Sequence, residues 1–425
     1  MKKKLFGLSN LLIILFLVNF NLFSQVNGLV NVKYSEQVIT VGGPDADIPG
    51  YSSGSIQIAL DAIKSRGGGT VKLNSGVYSV IAPVRLYSKV TLEGSGAGTI
   101  LQKSDGFKTS FIIDADWGML KATVKDVKGF RTGMGIQLFD DQNNQGWDVT
   151  TAVITDIKDN IIYFDNNTVN DYQASLNGIV SNACSVVEGK EVEDVIIRNL
   201  TIEGNKSSND YINGCRGGGL YLFKSKNCLV ENVKVNNFNG DSFSWQVTEN
   251  ISVKSCEASN GGGLGFHPGT GSDHTVIENC RSHNNKEDGI FLCWRVQNGI
   301  FRNNTVYANG RFGISIGHKD TDNSFENNQI YENGLHGIYF RDENEQNAGH
   351  RNTFIKNSIE NNGVLKESYG VYIDGETHDL NIMGNIIRSG GKGNQAGSIF
   401  VGKKASSINI SGNTVSGSQK TVFEK

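Results

Sequence analysis

The chain has 425 residues, of which 52 are glycine and only 4 proline, and its formal net charge is −3. That balance gives no bulk electrostatic case for a nucleic-acid partner. The length suits one long repeat array or two ordinary domains; abundant glycine suits tight corners, and scarce proline leaves the donors of sheet ladders intact.

Residues 1–25 read as an export signal. Met1-Lys-Lys-Lys is a basic start, Leu11 to Val18 is an apolar run too short to span a bilayer, and cleavage is expected near Ser24–Gln25. The expected location is therefore secreted or periplasmic. No later stretch is long and apolar enough to cross a membrane.

Residues 26–106 are expected to form a cap and the first coils of a solenoid. Val30 to Asp47 is extended and turn-rich. Ser55 to Lys64 carries Ile56, Leu60 and Ile63 at helical spacing, opened by serine and closed by Gly67-Gly-Gly. Strands follow at Gly69-Thr-Val-Lys-Leu and Val90-Thr-Leu-Glu. A helix here would cover the open end of a repeat stack, as terminal repeats require. Ala59-Leu-Asp-Ala-Ile, Gly67-Gly-Gly-Thr-Val-Lys-Leu, Gly76-Val-Tyr and Leu92-Glu-Gly-Ser-Gly resemble the N-terminal part of the pectate-lyase-like β-helix superfamily. The resemblance implies a right-handed parallel β-helix and says little about chemistry, because one fold hosts many functions.

Residues 107–180 contain the predicted strands Val124-Lys-Asp-Val, Gly133-Met-Gly-Ile-Gln-Leu, Thr151 to Ile157 and Asn160 to Asp165, without the period that follows them. They are expected to form a small β insertion beside the solenoid.

From 181 to 425 an asparagine returns about every two dozen residues or slightly more: Asn199, Asn232, Asn279, Asn304, Asn328, Asn357, Asn385 and Asn413, with Ser255 in the one missing place. A strand-rich repeat of this length is one coil of a parallel β-helix, so the fold class is all-β. The asparagines are expected to stack coil on coil through their amides. Of six cysteines, Cys256 and Cys280 share one column, which predicts inward-pointing stacked thiols rather than disulfides. No Cys or His spacing resembles a zinc site.

A second strand repeats as Gly219-Leu-Tyr-Leu, Ser242-Phe-Ser-Trp, Gly263-Leu-Gly-Phe-His, Gly289-Ile-Phe-Leu-Cys, Gly313-Ile-Ser-Ile-Gly, Gly337-Ile-Tyr-Phe-Arg and Gly370-Val-Tyr-Ile-Asp. Alternation sends Leu220, Phe243, Leu264, Ile290, Ile314, Ile338 and Val371 inward. It sends Tyr221, Ser244, Gly265, Phe291, Ser315, Tyr339 and Tyr372 outward, with His267, Cys293, Gly317, Arg341 and Asp374 two residues later. Aromatic, cationic and acidic residues on one face predict a sugar-binding groove, since aromatic faces stack on sugar C–H surfaces. The binding candidates are His267, Trp294, Arg295, His336, Tyr339, Glu343, Tyr372 and Asp374. The catalytic candidates are Asp288, His318, Lys319, Asp320, Asp322, Arg341 and Asp342.

Two chemistries fit. Glycoside hydrolysis needs two carboxylates at about 5–5.5 or 6.5–9.5 Å. β-Elimination, or C5 epimerisation of a uronate, needs a base and a cation beside the substrate carboxyl, for which Lys319, Arg341, His318, His267 and Tyr339 qualify. Asp320 with Asp322, or Asp342 with Glu343, make Ca²⁺ a candidate cofactor. The motifs of polygalacturonases, including a paired Asp and Arg-Ile-Lys, and the Arg-x-Pro-x-x-Arg of many lyases are missing. Hydrolysis of an acidic polysaccharide stands slightly ahead because carboxylates outnumber bases. A non-catalytic glycan-binding solenoid is the third reading, and a monomer is the expected state.

Overall fold

The computed structural model describes residues 37–390, 394–417 and 422–423; the predicted export signal lies outside them. The fold is a right-handed parallel β-helix. A typical coil contributes three short strands: Glu249–Lys254, Glu257–Ser259 and Phe266–Pro268, then Val276–Glu278, Arg281–His283 and Ile290–Phe291. Each pairs in parallel with its counterpart one coil on, as in Ile277↔Phe301, Val306↔Ile330 and Ile290↔Ile314. Bent strands such as Ile196–Glu203 and Lys226–Asn236 join two of the three faces into one sheet of 22 strands, and the third face has 11 among the described residues.

The cap helix spans Ser53–Ser65. Ser52 accepts from the Ser55 N–H at 3.1 Å, and the apolar positions Ile56, Ala59, Leu60 and Ile63 are buried toward the first coil. The core is a cylinder of aliphatic and aromatic side chains that stack between coils; the rings of Phe301, Phe325 and Phe354 follow one another at 4.6 and 4.7 Å.

The asparagine period contains two columns, one residue apart. Asn199, Asn232, Ser255, Asn279, Asn303 and Asn327 occupy a corner with φ between 51° and 58°. Asparagine is among the few non-glycine residues that accept this left-handed conformation readily. The next position points inward. It is Leu200, Val233, Cys256 and Cys280 in the early coils, then Asn304, Asn328, Asn357, Asn385 and Asn413. The expected single stack is therefore two columns: at the exposed corner Asn232 donates its amide to Asn199 Oδ1 at 2.8 Å and Asn327 to Asn303 Oδ1 at 2.6 Å, while the series from Asn304 builds the buried ladder. Each ladder amide donates to the next asparagine oxygen at 2.9–3.0 Å. Cys256 and Cys280 stack inward as predicted, with the Cys256 N–H 3.4 Å from the Cys280 sulfur.

A second ladder runs through Asn285, Asn309, Asn333 and Asn362, linked at 2.9–3.0 Å. The sequence reading missed it. Its residues precede the glycine of each groove strand, where asparagine reads as an ordinary turn residue.

Residues 108–181 leave the solenoid and form a six-stranded antiparallel sheet with its own core, including Phe111, Ile136, Leu138, Ile154 and Tyr172. No helix among the described residues is long and apolar enough to cross a membrane.

Because Asn328 accepts from both the backbone N–H and the amide of Asn304 and donates to Phe301 O and Asn357, Asn328→Ala strands several buried polar groups. Its expected cost is about 3 kcal/mol in denaturant unfolding. Asn303→Gly, at the exposed corner one residue before a ladder position, should stay within about 0.5 kcal/mol of wild type, since glycine adopts the same φ freely.

Candidate functional site

The 11-stranded face carries the predicted groove, with one shift in register. Phe243 pairs with Phe266, Ser244 with His267, and Phe266 with Ile290. The strand in that coil therefore starts two residues later than expected. Phe266 and His267, not Leu264 and Gly265, fill the inward and outward columns. The Gly261-Gly-Gly-Leu-Gly run hides the start, because every glycine in it is an equally good strand opening. His267 consequently lies on the floor, in the column of Phe291, Ser315, Tyr339, Tyr372 and Phe400.

The N-terminal part of this face is covered. Tyr221, Ser244 and His267 are buried beneath the segment 211–217. The Tyr221 hydroxyl and the Ser244 hydroxyl donate to Cys215 O and Gly214 O at 2.7 and 2.6 Å. A side chain at Gly214 would collide with Asp241 and with His267 Nδ1, so only glycine lets the backbone lie this close. Behind this segment the insertion rises: Arg216 donates to Trp147 O and lies 5.0 Å over the Trp147 ring. The groove is thus closed at one end and open from Phe291 onward.

At the closed end several titratable groups converge. Asp241 is buried; one carboxylate oxygen meets His267 Nδ1 at 2.8 Å and the other accepts the Leu264 N–H at 2.8 Å. Burial opposes the charged imidazole, but Asp241 and the Cys293 sulfur outweigh it and raise the His267 pKa to about 10. Glu287 is half-buried beside them, and desolvation followed by the Asp241 charge pushes its carboxyl above the usual range. Tyr211 as a residue is 42% exposed, while desolvation, Asp241, Glu287 and Cys215 raise its hydroxyl. Arg311, whose side chain is about half exposed, bears on Glu287, lies 3.7 Å from Asp288 and sits 5.3 Å over the Phe312 ring.

From there an aromatic track leads away. Phe312 stacks on Tyr339 at 4.3 Å, His336 on Tyr372 at 4.4 Å, and Tyr372 on Phe400 at 4.4 Å. His336 accepts the Tyr369 N–H at 2.9 Å and is held neutral, its pKa lowered to about 4 by burial. On the opposite rim Trp294 stacks on His318 at 4.3 Å, and His318 meets Glu343 at 2.5 Å.

The catalytic candidates from the sequence divide sharply. Asp288 is sealed, with one oxygen accepting the Phe312 N–H, and burial raises its pKa to about 6. Asp320 is also sealed: it accepts from the Val296 and Gly317 N–H groups and pairs with Arg341 at 3.0 Å. Arg341 spends further donors on Leu292 O, Cys293 O and Ser315, and lies 4.7 Å over Phe291. These three are drawn into the groove wall, Asp288 and Asp320 buried and engaged by backbone N–H groups and Arg341 rather than facing the open groove. Asp322 leaves the groove for an exposed left-handed corner and pairs with Arg351. Asp342 is exposed on the rim 3.8 Å from Lys404. Lys319 and Arg295 are exposed rim residues with positive φ, and Asp374 is half-buried, binding the Gly375 N–H. Asp320, Asp322, Asp342 and Glu343 thus point to different partners, and among the described residues no three or more His, Cys, Asp or Glu side chains are grouped to hold a metal. Tyr211, Glu287 and Arg311 were not singled out in the sequence; each precedes a groove strand, where only the coil geometry shows that its side chain turns toward the floor.

A family described as right handed beta helix region matches residues 177–354. No curated protein sequence matches the chain. Among solved structures, the A-module of the Azotobacter vinelandii mannuronan C-5 epimerase AlgE6 is similar at 17% identity over 88% of this chain and 85% of that one, with a TM-score of 0.59. The A-module of AlgE4 from the same organism is similar at 16% identity over 88% and 96%, with a TM-score of 0.51. A Thermotoga maritima exopolygalacturonase gives 13% identity over 92% and 91%, with a TM-score of 0.48. At such identities the likeness is one of fold. Coil architecture, cap and matched region agree: the chain is a right-handed parallel β-helix protein of the pectate-lyase-like fold.

Proposed function

We propose that this protein is an exported enzyme that acts on an acidic polysaccharide and moves a proton at the carbon beside a uronate carboxylate, the step shared by β-elimination and C5 epimerisation. The observation that carries this reading is that Arg311 lies 3.7 Å from Asp288, the neighbour of Glu287, and over Phe312 at the head of the aromatic track, with Tyr211 near enough for the Glu287 charge to raise its hydroxyl. Abstraction of that proton needs a base, a positive charge for the developing enolate, and an acid for the leaving oxygen or the opposite face. Glu287, raised by desolvation, is the base. Arg311 is the accessible cation, and the Tyr211 phenol, kept protonated, is the acid.

Hydrolysis would need a second free carboxylate across the sugar. Asp241, Asp288 and Asp320 are instead engaged by His267, backbone N–H groups or Arg341. The stacked column of Tyr339, Tyr372 and Phe400 turns its partly exposed ring edges and hydroxyls outward, a surface along which successive sugars can lie. The mannuronan epimerase modules lend fold-level analogy to a uronate substrate.

The reading is tested on a panel of uronate-containing and neutral polysaccharides, following reducing ends, ultraviolet absorbance of an unsaturated uronate, and deuterium uptake at C5 from heavy water. Absorbance or deuterium uptake on uronate polymers is expected; new reducing ends with neither would move the assignment to hydrolysis. Glu287→Gln should lower kcat at least about a hundredfold with unfolding unchanged. Because the base must be ionised and its carboxyl lies above the ordinary 4.5, the acidic limb of the wild-type kcat/KM profile should fall above that value. Tyr372→Ala should raise KM about tenfold and leave kcat within about threefold, as expected for a residue that only holds sugar.

A further inference from the structure

The segment 211–217 that ends the groove is braced from both sides. On the solenoid side Ile212 pairs in parallel with Gly240 and donates its N–H to Asn239 O at 3.1 Å. On the other side the six-stranded insertion grips it and its leading residue. Lys108 pairs with Asp210 at 2.9 Å, Gln137 donates to Tyr211 O at 3.1 Å, and Thr151 donates to Arg216 O at 3.4 Å. Trp147, over which Arg216 lies, is set 5.8 Å from Phe223 of the groove sheet. The end wall is therefore a fixed part of the molecule, anchored to a small sheet with its own core.

The wall stops at the coil before the proposed base. Glu287 donates its N–H to Gly263 O at 3.1 Å, and Arg311 donates to Glu287 O at 3.3 Å, so base and cation are successive members of one column. Gly263, the member before them, lies against Asp241, and Asp241 is covered in turn by Gly214. Along the floor Tyr221, Ser244 and His267 are buried under the wall, and Phe291, in the coil of Glu287, is the first residue left partly exposed. Between the wall and Glu287 no coil is left open. On the other side four coils follow, those of Ser315, Tyr339, Tyr372 and Phe400. Coils rise about 4.8 Å each, and a pyranose residue in an extended polymer advances by a similar length.

We infer, on the reading of Glu287 and Arg311 as base and cation, that the protein takes its polysaccharide by one chain end. The terminal residue lies against the wall beside Glu287, and about four further residues run along the column to Phe400. Each event then acts on the last residue of the chain or on the linkage to it. An internal residue is kept from Glu287, because the chain continuing past it would have to cross backbone bonded to the solenoid on one side and to the insertion on the other. The insertion thereby acquires a role: it turns a groove that would accept a polymer anywhere along its length into one that accepts only termini.

Binding separates this mode from the chemistry. Glu287→Gln protein is titrated calorimetrically with polymannuronate and polygalacturonate, each in two size fractions that differ about tenfold in length. End recognition predicts at most one protein per chain at saturation for both fractions. A stoichiometry that grows about in proportion to length would overturn it and leave the uronate reading standing. Binding to neither polymer, with no turnover by wild type, would remove the uronate reading and end recognition together. With wild-type protein at equal, subsaturating mass of polymer, the initial rate should be about tenfold higher on the short fraction, and the mean length of the long fraction should hardly fall. Equal rates on both fractions, with a steep fall in length, would overturn end recognition. Phe400→Ala should weaken binding of a uronate pentamer about fivefold and leave binding of the dimer within about twofold, since only the longer ligand reaches that coil. An equal loss for both would overturn the placement of the chain end at the wall.

Discussion

The structure depends on the stacking of one coil on the next at a fixed corner. Along the ladder each asparagine oxygen accepts from the backbone and the amide of its predecessor, and each amide also donates to a backbone carbonyl of the preceding coil. An amide has two donors and two acceptor lone pairs, so it closes this arrangement with nothing left unpaired. Deep in an apolar cylinder, that completeness matters more than the strength of any single bond. The ladder fixes where each coil turns. The coil may then vary in length elsewhere: successive ladder residues are 24 apart through Asn328, and 29 then 28 apart beyond it.

Constant corners turn a linear sequence into columns. Tyr339, Tyr372 and Phe400 lie far apart in the chain yet form a continuous track, because the β-helix sets every outward side chain one strand spacing above the last. The extra residues of the longer coils are spent at the rim, as in the stretch from Glu343 to Arg351. Buried carboxylates contribute to the same rigidity. Asp320 ties the strand corner to Arg341, and Arg341 ties three coils to one another through Leu292, Cys293 and Ser315. A charge used this way is structural, however reactive its residue type looks in the sequence.

The insertion and the segment 211–217 convert an open face into a groove with an end. Without them Tyr221, Ser244 and His267 would face water; under them these residues become a polar floor whose titration is governed by neighbours rather than solvent. His267 and Glu287, both shifted by their neighbours, lie there, and perturbed groups of this kind are where acid–base chemistry is expected to reside.

The sequence by itself determined the coil, the cap helix and the groove face. The asparagine period, the helical spacing of Ile56, Leu60 and Ile63, and the repeated Gly-apolar-x-apolar strand are local patterns whose physical causes act within a few residues. Only the tertiary structure decided which asparagines stack inside the core and which sit at the left-handed corner, since Asn279 and Asn304 are the same residue type one step apart in phase. It also decided that Asp288 and Asp320 are walls while Glu287 and Arg311 face the groove. Adjacent positions such as Glu287 and Asp288 differ in exposure because successive side chains point to opposite sides of the chain. Which side is solvent depends on segments far away in sequence, here the stretch around Gly214 and the insertion behind it.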